Sequence, residues 1–366
     1  TLMFQEEKKG DGAVVDEEHG TLEESPKTLQ AIKDIVFGKC IISWLLLAMP
    51  ASLCAVHFHW SDTAIFWLNF FAMIPLAAIL GDFTEEVALH TNQVTGGLIN
   101  ASFGNAIEVI VAIQALLADE IRVVQAAMLG SIFSNLLLVL GSCFFFGGLY
   151  YKEQRFNSTA ATASMGLLAL SSIALVLPTP FASYHDLNDE HVLIVSRVAA
   201  LFLIFMYAQL LVFQLKTHVS IFNPPDGEEE EELASMSLLV ACLGLLTVTL
   251  LVTIFSEYLV GSIEGFTEAS GISRTFVGIV IIPIVGNAVE HVSAVSVALK
   301  NKMDLAMGIA VGSSTQISLF VVPLTVLCGW VLGKEMTLNF PHFEITLYVL
   351  SVFTVSVLLS SSSCNW

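Results

Sequence analysis

Ten apolar runs decide what this chain can become. They cover roughly residues 37–58, 62–81, 94–118, 122–149, 158–178, 192–215, 236–258, 274–299, 304–333 and 343–360. A bilayer core about 30 Å thick needs about 20 apolar residues per helix, so each run reads as a membrane-spanning helix. The expected fold is an all-α polytopic membrane protein with about ten spans. Composition agrees, with 55% hydrophobic and 13% charged residues, where soluble domains carry about 25% charge.

The net charge of −19 is concentrated outside the runs. Nine of the 33 acids lie in residues 1–34, and Asp226 with Glu228–Glu232 supplies six more. The expected organisation is an acidic tail (1–34), a first helix (35–58), a first repeat (59–216), an acidic loop (217–235) and a second repeat (236–366). Ten Lys and Arg residues flank one face (Lys8, Lys9, Lys27, Lys33, Lys39, Lys152, Arg155, Lys216, Lys300, Lys302), against Arg122, Arg197, Arg274 and Lys334 on the other. The positive-inside rule therefore puts the N-terminus and the acidic loop in the cytosol. No basic patch exists to neutralise phosphates, so nucleic acid is not an expected partner. The six cysteines are scattered without a CxxC spacing and read as small apolar fillers. The first 34 residues are acidic and polar, unlike a secretory signal.

The chain also matches itself. Shifted by 182 residues without a gap, Gly96 meets Gly278, Gly104 meets Gly286, Asn105 meets Asn287 and Glu108 meets Glu290. Gly130 then meets Gly312, Ser131 meets Ser313, and Glu86 meets Glu268. Apolar segments match by accident; shared Gly, Asn, Glu and Ser do not. The shift spans five helices, an odd number, so the halves run through the bilayer in opposite directions. Inverted repeats are the usual build of secondary transporters, with the site near the midplane where the repeats meet.

Each half carries Gly-Asn-x-x-Glu, as GNAIE at 104–108 and GNAVE at 286–290. A carboxylate at that depth costs several kcal/mol unless it is paired, protonated or in a wet cavity. Asn and Glu at i and i+3 share a helix face, so each motif offers an amide oxygen beside a carboxylate. Pro283 favours a broken helix before the second motif. Hard oxygens from two such faces suit Ca²⁺, which takes 6–8 of them. The bland alternative is a pair of structural Glu residues hydrogen-bonded between helices. Ser131 and Ser313 follow at matched spacing, and Ser134, Asn135, Ser314 and Gln316 extend the polar stripe; the small ones also suit close helix packing. Glu85 and Glu86 are either interfacial charges or a proton relay. His291 either tunes Glu290 or reaches a wet cavity.

These residues resemble the calcium/proton exchangers of the cation/Ca²⁺ exchanger superfamily, most strongly the fungal vacuolar type. The segments that carry the resemblance are PLAAILGDFTEE (75–86), GGLINASFGNAIE (96–108), VQAAMLGSIFSNLLLVLG (124–141), the Glu run 228–232, VGIVIIPIVGNAVEH (277–291) and KMDLAMGIAVGSSTQ (302–316). The resemblance implies Glu108 and Glu290 as central Ca²⁺ and proton ligands, with Asn105, Asn287, Ser131, Ser313 and Gln316 nearby. It also implies that the acidic loop regulates transport or attracts cations. Such exchangers have eleven helices. A partner for the helix starting near 192 would start near 374, so the final helix is expected to be missing and this form to transport poorly.

The expected function is an antiporter at the vacuolar membrane that moves cytosolic Ca²⁺ against returning protons. It is not expected to be an enzyme, and Ca²⁺ is its substrate with no cofactor implied. A Na⁺/Ca²⁺ exchanger and a cation channel are the rival readings, and the oligomeric state is left open.

Overall fold

The computed structural model describes residues 26–156, 158–184, 189–219, 233–361 and 363–365. The Glu run 228–232 and most of the acidic tail lie outside the described residues.

Helix α1 is Pro26–Phe37, and α2 is the short apolar helix Trp44–His57. The first half continues with α3 (Asp62–Leu89), α4 (Gln93–Phe103), α5 (Ala106–Leu117), α6 (Ile121–Tyr150), α7 (Thr162–Ser183) and α8 (Asp189–Thr217). The second half has α9 (Leu238–Gly261), α10 (Ile263–Ser270), α11 (Arg274–Leu299), α12 (Met303–Val331) and α13 (His342–Leu358). Seven of these helices are long and apolar enough to cross a bilayer, or eight when α4 and α5 count as one bent span. Two of the ten expected spans, 37–58 and 343–360, are represented by shorter helices, α2 and α13.

Polar caps start several spans. Asn92 Oδ1 accepts from the Thr95 amide at 2.9 Å and Ser273 Oγ from the Phe276 amide at 3.1 Å, which satisfies donors the helix itself leaves unpaired. Helix α3 extends past the expected end at 81, through Asp82, Glu85 and Glu86, to Leu89. Carboxylates can remain helical where the span leaves hydrocarbon, and Lys39 Nζ pairs with Asp82 Oδ1 at 2.7 Å.

The 182-residue relation reappears in the backbone. Helix α5 ends at Leu117 and α11 at Leu299, its counterpart; α6 starts at Ile121 and α12 at Met303, again counterparts. The turns between them hold Asp119 at φ 60° and Asn301 at φ 61°, the left-handed conformation that Asp and Asn tolerate best among non-glycine residues. Both α6 and α12 widen into a π-helical segment, at Ser134–Val139 and Ile317–Val321.

The halves differ in how their leading segments are seated. The first segment of α11 seats tightly on α6: a β-carbon added at Gly130 would lie 2.3 Å from the Ile279 carbonyl oxygen, and one at Gly278 2.5 Å from Ala126 Cβ. The equivalent seat for α4 on α12 is empty, since a β-carbon at Gly308 or Gly312 would meet nothing within 4 Å. Helix α4 lies instead against α3 and the end of α8, where Leu215 covers Gly97 and Tyr207 Oη donates to the Ala101 carbonyl at 3.2 Å. One face of the bundle is therefore packed shut and the other is not.

Gly130→Val should lower the melting temperature, with about 1–3 kcal/mol lost to overpacking. The counterpart Gly312→Val should change stability by less than about 0.5 kcal/mol. Equal melting temperatures for the two variants would show that the halves are packed alike.

Candidate functional site

The two Gly-Asn-x-x-Glu motifs adopt different backbones. In the first half the span breaks between Phe103 and Ala106 with a bend of 40°. Asn105 takes φ −107°, ψ 25° at the break, and Glu108 falls in the first turn of α5. A carboxylate there faces the positive end of the helix dipole. In the second half α11 runs on through the motif. The break expected at Pro283 does not form: Pro283 is the second residue of the α-helical segment Ile282–Leu299, preceded by a π-helical segment at Val277–Ile281. The wider turn accommodates the absent proline N–H without parting the helix.

Four helices meet around the motifs, tied by side chains halfway along their lengths. Asn105 Nδ2 donates to Gln316 Oε1 at 2.9 Å, joining the broken span to α12. Asn287 Nδ2 donates to the Ser131 carbonyl at 3.2 Å, joining α11 to α6. Asn135 Nδ2 donates to Ser313 Oγ at 2.9 Å, and Ser313 Oγ donates to Glu290 Oε2 at 3.0 Å, so α6, α12 and α11 are linked in series. Each of the three asparagine nitrogens is thereby occupied, and each asparagine oxygen is left over. Asn105 Oδ1, Asn135 Oδ1, Asn287 Oδ1 and Glu108 Oε2 are buried and have no hydrogen-bond partner. Buried acceptors without partners are uncommon in folded proteins and call for a reason. Three amide oxygens beside two carboxylates, one of which also keeps a bare oxygen, form a set of hard donors suited to a cation.

The two motifs touch directly. A β-carbon on Gly286 would sit 2.5 Å from Glu108 Oε1, so the Glu108 carboxylate of one repeat crosses the bare backbone of the other. A cavity of about 20 Å³ lies beside them, lined by Glu108, Ser131 and Gly286 with Met128, Leu259 and Ile282, large enough for one water. Glu108 is 6% exposed, whereas Glu290 is only partly buried. Among the described residues no three His, Cys, Asp or Glu side chains group together as a metal site, so the set is two carboxylates supplemented by amides and hydroxyls.

Of the candidates named from sequence, Glu108, Glu290, Asn105, Asn287, Ser131, Ser313 and Gln316 fall in or beside this network. Glu86 does not: it accepts from the Ser235 amide at 3.1 Å and from Ser235 Oγ, tying the end of α3 to the start of the second half. Glu85 is exposed on the same last turns of α3. His291 Nε2 lies 3.2 Å from Ser142 Oγ on α6, outside the network. Asn135, part of the polar stripe in sequence, belongs to the network as well. Its repeat counterpart is Ile317, so matching the halves passes over it, while its polarity inside an apolar run is the signal that finds it.

Gly286→Ala should move the Glu108 carboxylate and weaken Ca²⁺ binding tenfold or more, about 1.4 kcal/mol. Calorimetric titration of the purified protein checks this. The melting temperature should hold, because only the end of a flexible side chain has to shift. Unchanged affinity would show that the contact between motifs does not set the site.

Comparison with known proteins gives a consistent result. The model of the family described as sodium/calcium exchanger protein matches residues 61–216 and 240–366. The vacuolar calcium ion transporter of Schizosaccharomyces pombe is 42% identical over 326 residues, covering 88% of this chain and 79% of that protein. The Ca²⁺/H⁺ antiporter of Aphanothece halophytica is 41% identical over 336 residues, covering 88% and 90%. The solved structure of native YfkE superposes with a TM-score of 0.76 at 34% identity, covering 89% of this chain and 93% of that one. A solved H⁺/Ca²⁺ exchanger at 17% identity shares the fold, with a TM-score of 0.65. The chain belongs to the sodium/calcium exchanger protein family and, within it, to the calcium/proton exchangers.

Proposed function

We propose that this protein is a secondary antiporter that moves Ca²⁺ from the cytosol into an acidic compartment, driven by protons returning through the same site. The observation that carries this reading is the set of unpartnered buried oxygens of Asn105, Asn135, Asn287 and Glu108, drawn from both repeats. The relatives' names support the choice of ions and, for Schizosaccharomyces pombe, a vacuolar membrane. The charge bias of the loops supports a cytosolic N-terminus.

Glu108 and Glu290 carry the exchange. Ionised, the pair neutralises a divalent cation, and the amide oxygens with Ser131 and Ser313 replace part of its water shell. Protonated, the pair is neutral and releases the cation. Ca²⁺ and protons thus compete for one site, and each pH unit of gradient supplies about 1.36 kcal/mol per proton. The unmatched seats of α4 and α11 support alternation, because exchanging the two packings between the repeats exposes the site to the opposite face.

Glu108→Gln and Glu290→Gln should each abolish proton-driven Ca²⁺ uptake in reconstituted vesicles while leaving the melting temperature within a few degrees. Gln keeps the volume but carries neither the charge nor the proton. Near-normal uptake by either variant would refute the two-carboxylate mechanism. Competition also fixes a sign: apparent Ca²⁺ affinity should fall as pH falls, and should become pH-independent if the carboxylates are not the proton carriers. Replacing the proton gradient by a sodium gradient separates this reading from Na⁺/Ca²⁺ exchange, and uptake sustained by sodium alone would favour the latter.

A further inference from the structure

The turn between α5 and α6 joins three distant elements of the second half through almost consecutive side chains. Lys334 Nζ, after α12, lies 2.6 Å from Asp119 Oδ1. Arg274, at the start of α11, places Nη1 2.8 Å from Glu120 Oε1 and Nη2 2.7 Å from Glu264 Oε1 on α10. Arg122 pairs with Glu344 near the start of α13, where the Glu344 side chain is 5% exposed. Gln125, one turn on, adds a bond of 2.9 Å from Nε2 to the Thr337 carbonyl. Asp119 itself is held in the left-handed conformation.

All these contacts lie on one face of the bundle, where α11 is seated on α6 at Gly130 and Gly278. At the corresponding turn of the other repeat the ties are of another kind: Gln154 Nε2 donates to the Ala298 carbonyl at 2.9 Å and to Asn301 Oδ1 at 3.2 Å. The counterparts of the three pairs under the 182-residue shift are Asn301 with Lys152, Lys302 with Asn92, and Asp304 with Thr162. None of these joins opposite charges. These charge pairs are not repeated in sequence although the two turns keep the same boundaries and the same left-handed residue, so they are more than a by-product of duplication.

We propose that the 119–122 turn is a latch: its ion pairs to Lys334, Arg274 and Glu344 hold this face shut in the resting state and break each time the cation site opens toward it. The latch rests on the antiport reading for its role in a transport cycle, though not for its existence. Its residues are positioning groups and touch neither Ca²⁺ nor the exchanged protons. They fix α11 on α6, and through α11 they fix Glu290.

Amide hydrogen exchange on the full chain in lipid nanodiscs, without Ca²⁺, tests it. Arg274→Glu sets three carboxylates against one another, and Lys334→Asp sets two. Each should speed exchange in residues 116–124 and 274–283 by about fivefold or more, with residues 94–103 unchanged or slower. The paired swap Glu120→Arg with Arg274→Glu, which leaves the left-handed Asp119 in place, should recover at least about half of the protection lost in Arg274→Glu, a rescue that a merely structural role for Arg274 would not give. Unaltered exchange in both single variants overturns the latch, as does a swap that fails to rescue. Proton-driven Ca²⁺ uptake by the natural sequence is measured separately. Its absence would sink the antiport reading and leave the exchange result standing, whereas normal uptake with unaltered protection would sink the latch alone.

Discussion

A carboxylate inside a membrane protein has to be answered by something, and here two of them, Glu108 and Glu290, organise the bundle. Desolvating an ionised group costs far more than any single helix contact returns, so neighbouring segments are arranged to meet it. Ser313 donates to Glu290, and Asn135 holds Ser313 in turn. Asn105 and Asn287 spend their nitrogens on Gln316 and the Ser131 carbonyl. That orientation leaves their oxygens pointing where no protein group answers them. These amides thus hold neighbouring helices together through their nitrogens and keep their oxygens as bare acceptors.

The same demand explains the backbone irregularities. A regular helix offers its side chains every 100° and keeps its carbonyls to itself. The break at Gly104–Asn105 and the π-helical turns beside Ser134 and Gln316 depart from that pattern where the polar groups converge. Gly286 leaves the space through which Glu108 reaches across. Around this level the helices pack through an apolar core that includes Phe66, Met128, Phe255 and Phe266.

Much of this was legible in the sequence because it obeys rules that act locally or repeat. Apolar runs give spans, and the shared Gly, Asn, Glu and Ser residues at a constant shift give the two halves. Other features were out of reach for identifiable reasons. GNAIE and GNAVE read alike, and Pro283 marks the second as the weaker helix; yet the first breaks, because its leading segment lacks the support that α6 gives to α11. Asn135 has no counterpart and so drops out of a matched search. The pairs made by Asp119, Glu120 and Arg122 join residues 215, 154 and 222 positions apart, and no spacing rule connects them. For Glu85, Glu86 and His291 an ionisable side chain near the apolar runs says that the group needs an environment but not which one.

The paired π-helical segments also bear on how the chain tolerates changes in length. Each is one residue wider than the α-helix around it, and the two sit at the same place in an alignment that needs no gap. Deleting one residue from Ser134–Val139 would let that turn close to α-helical pitch with little change in facing, whereas deleting one from Ile121–Phe133 would turn all of Leu140–Tyr150 by about 100° about its axis. Buried Cys143 and Gly147 would then rotate toward lipid and exposed Phe145 and Phe146 away from it. Spans that contain such a turn are therefore fixed in length on both sides of it, whereas the loops that join them can grow or shrink without altering which residues face the site.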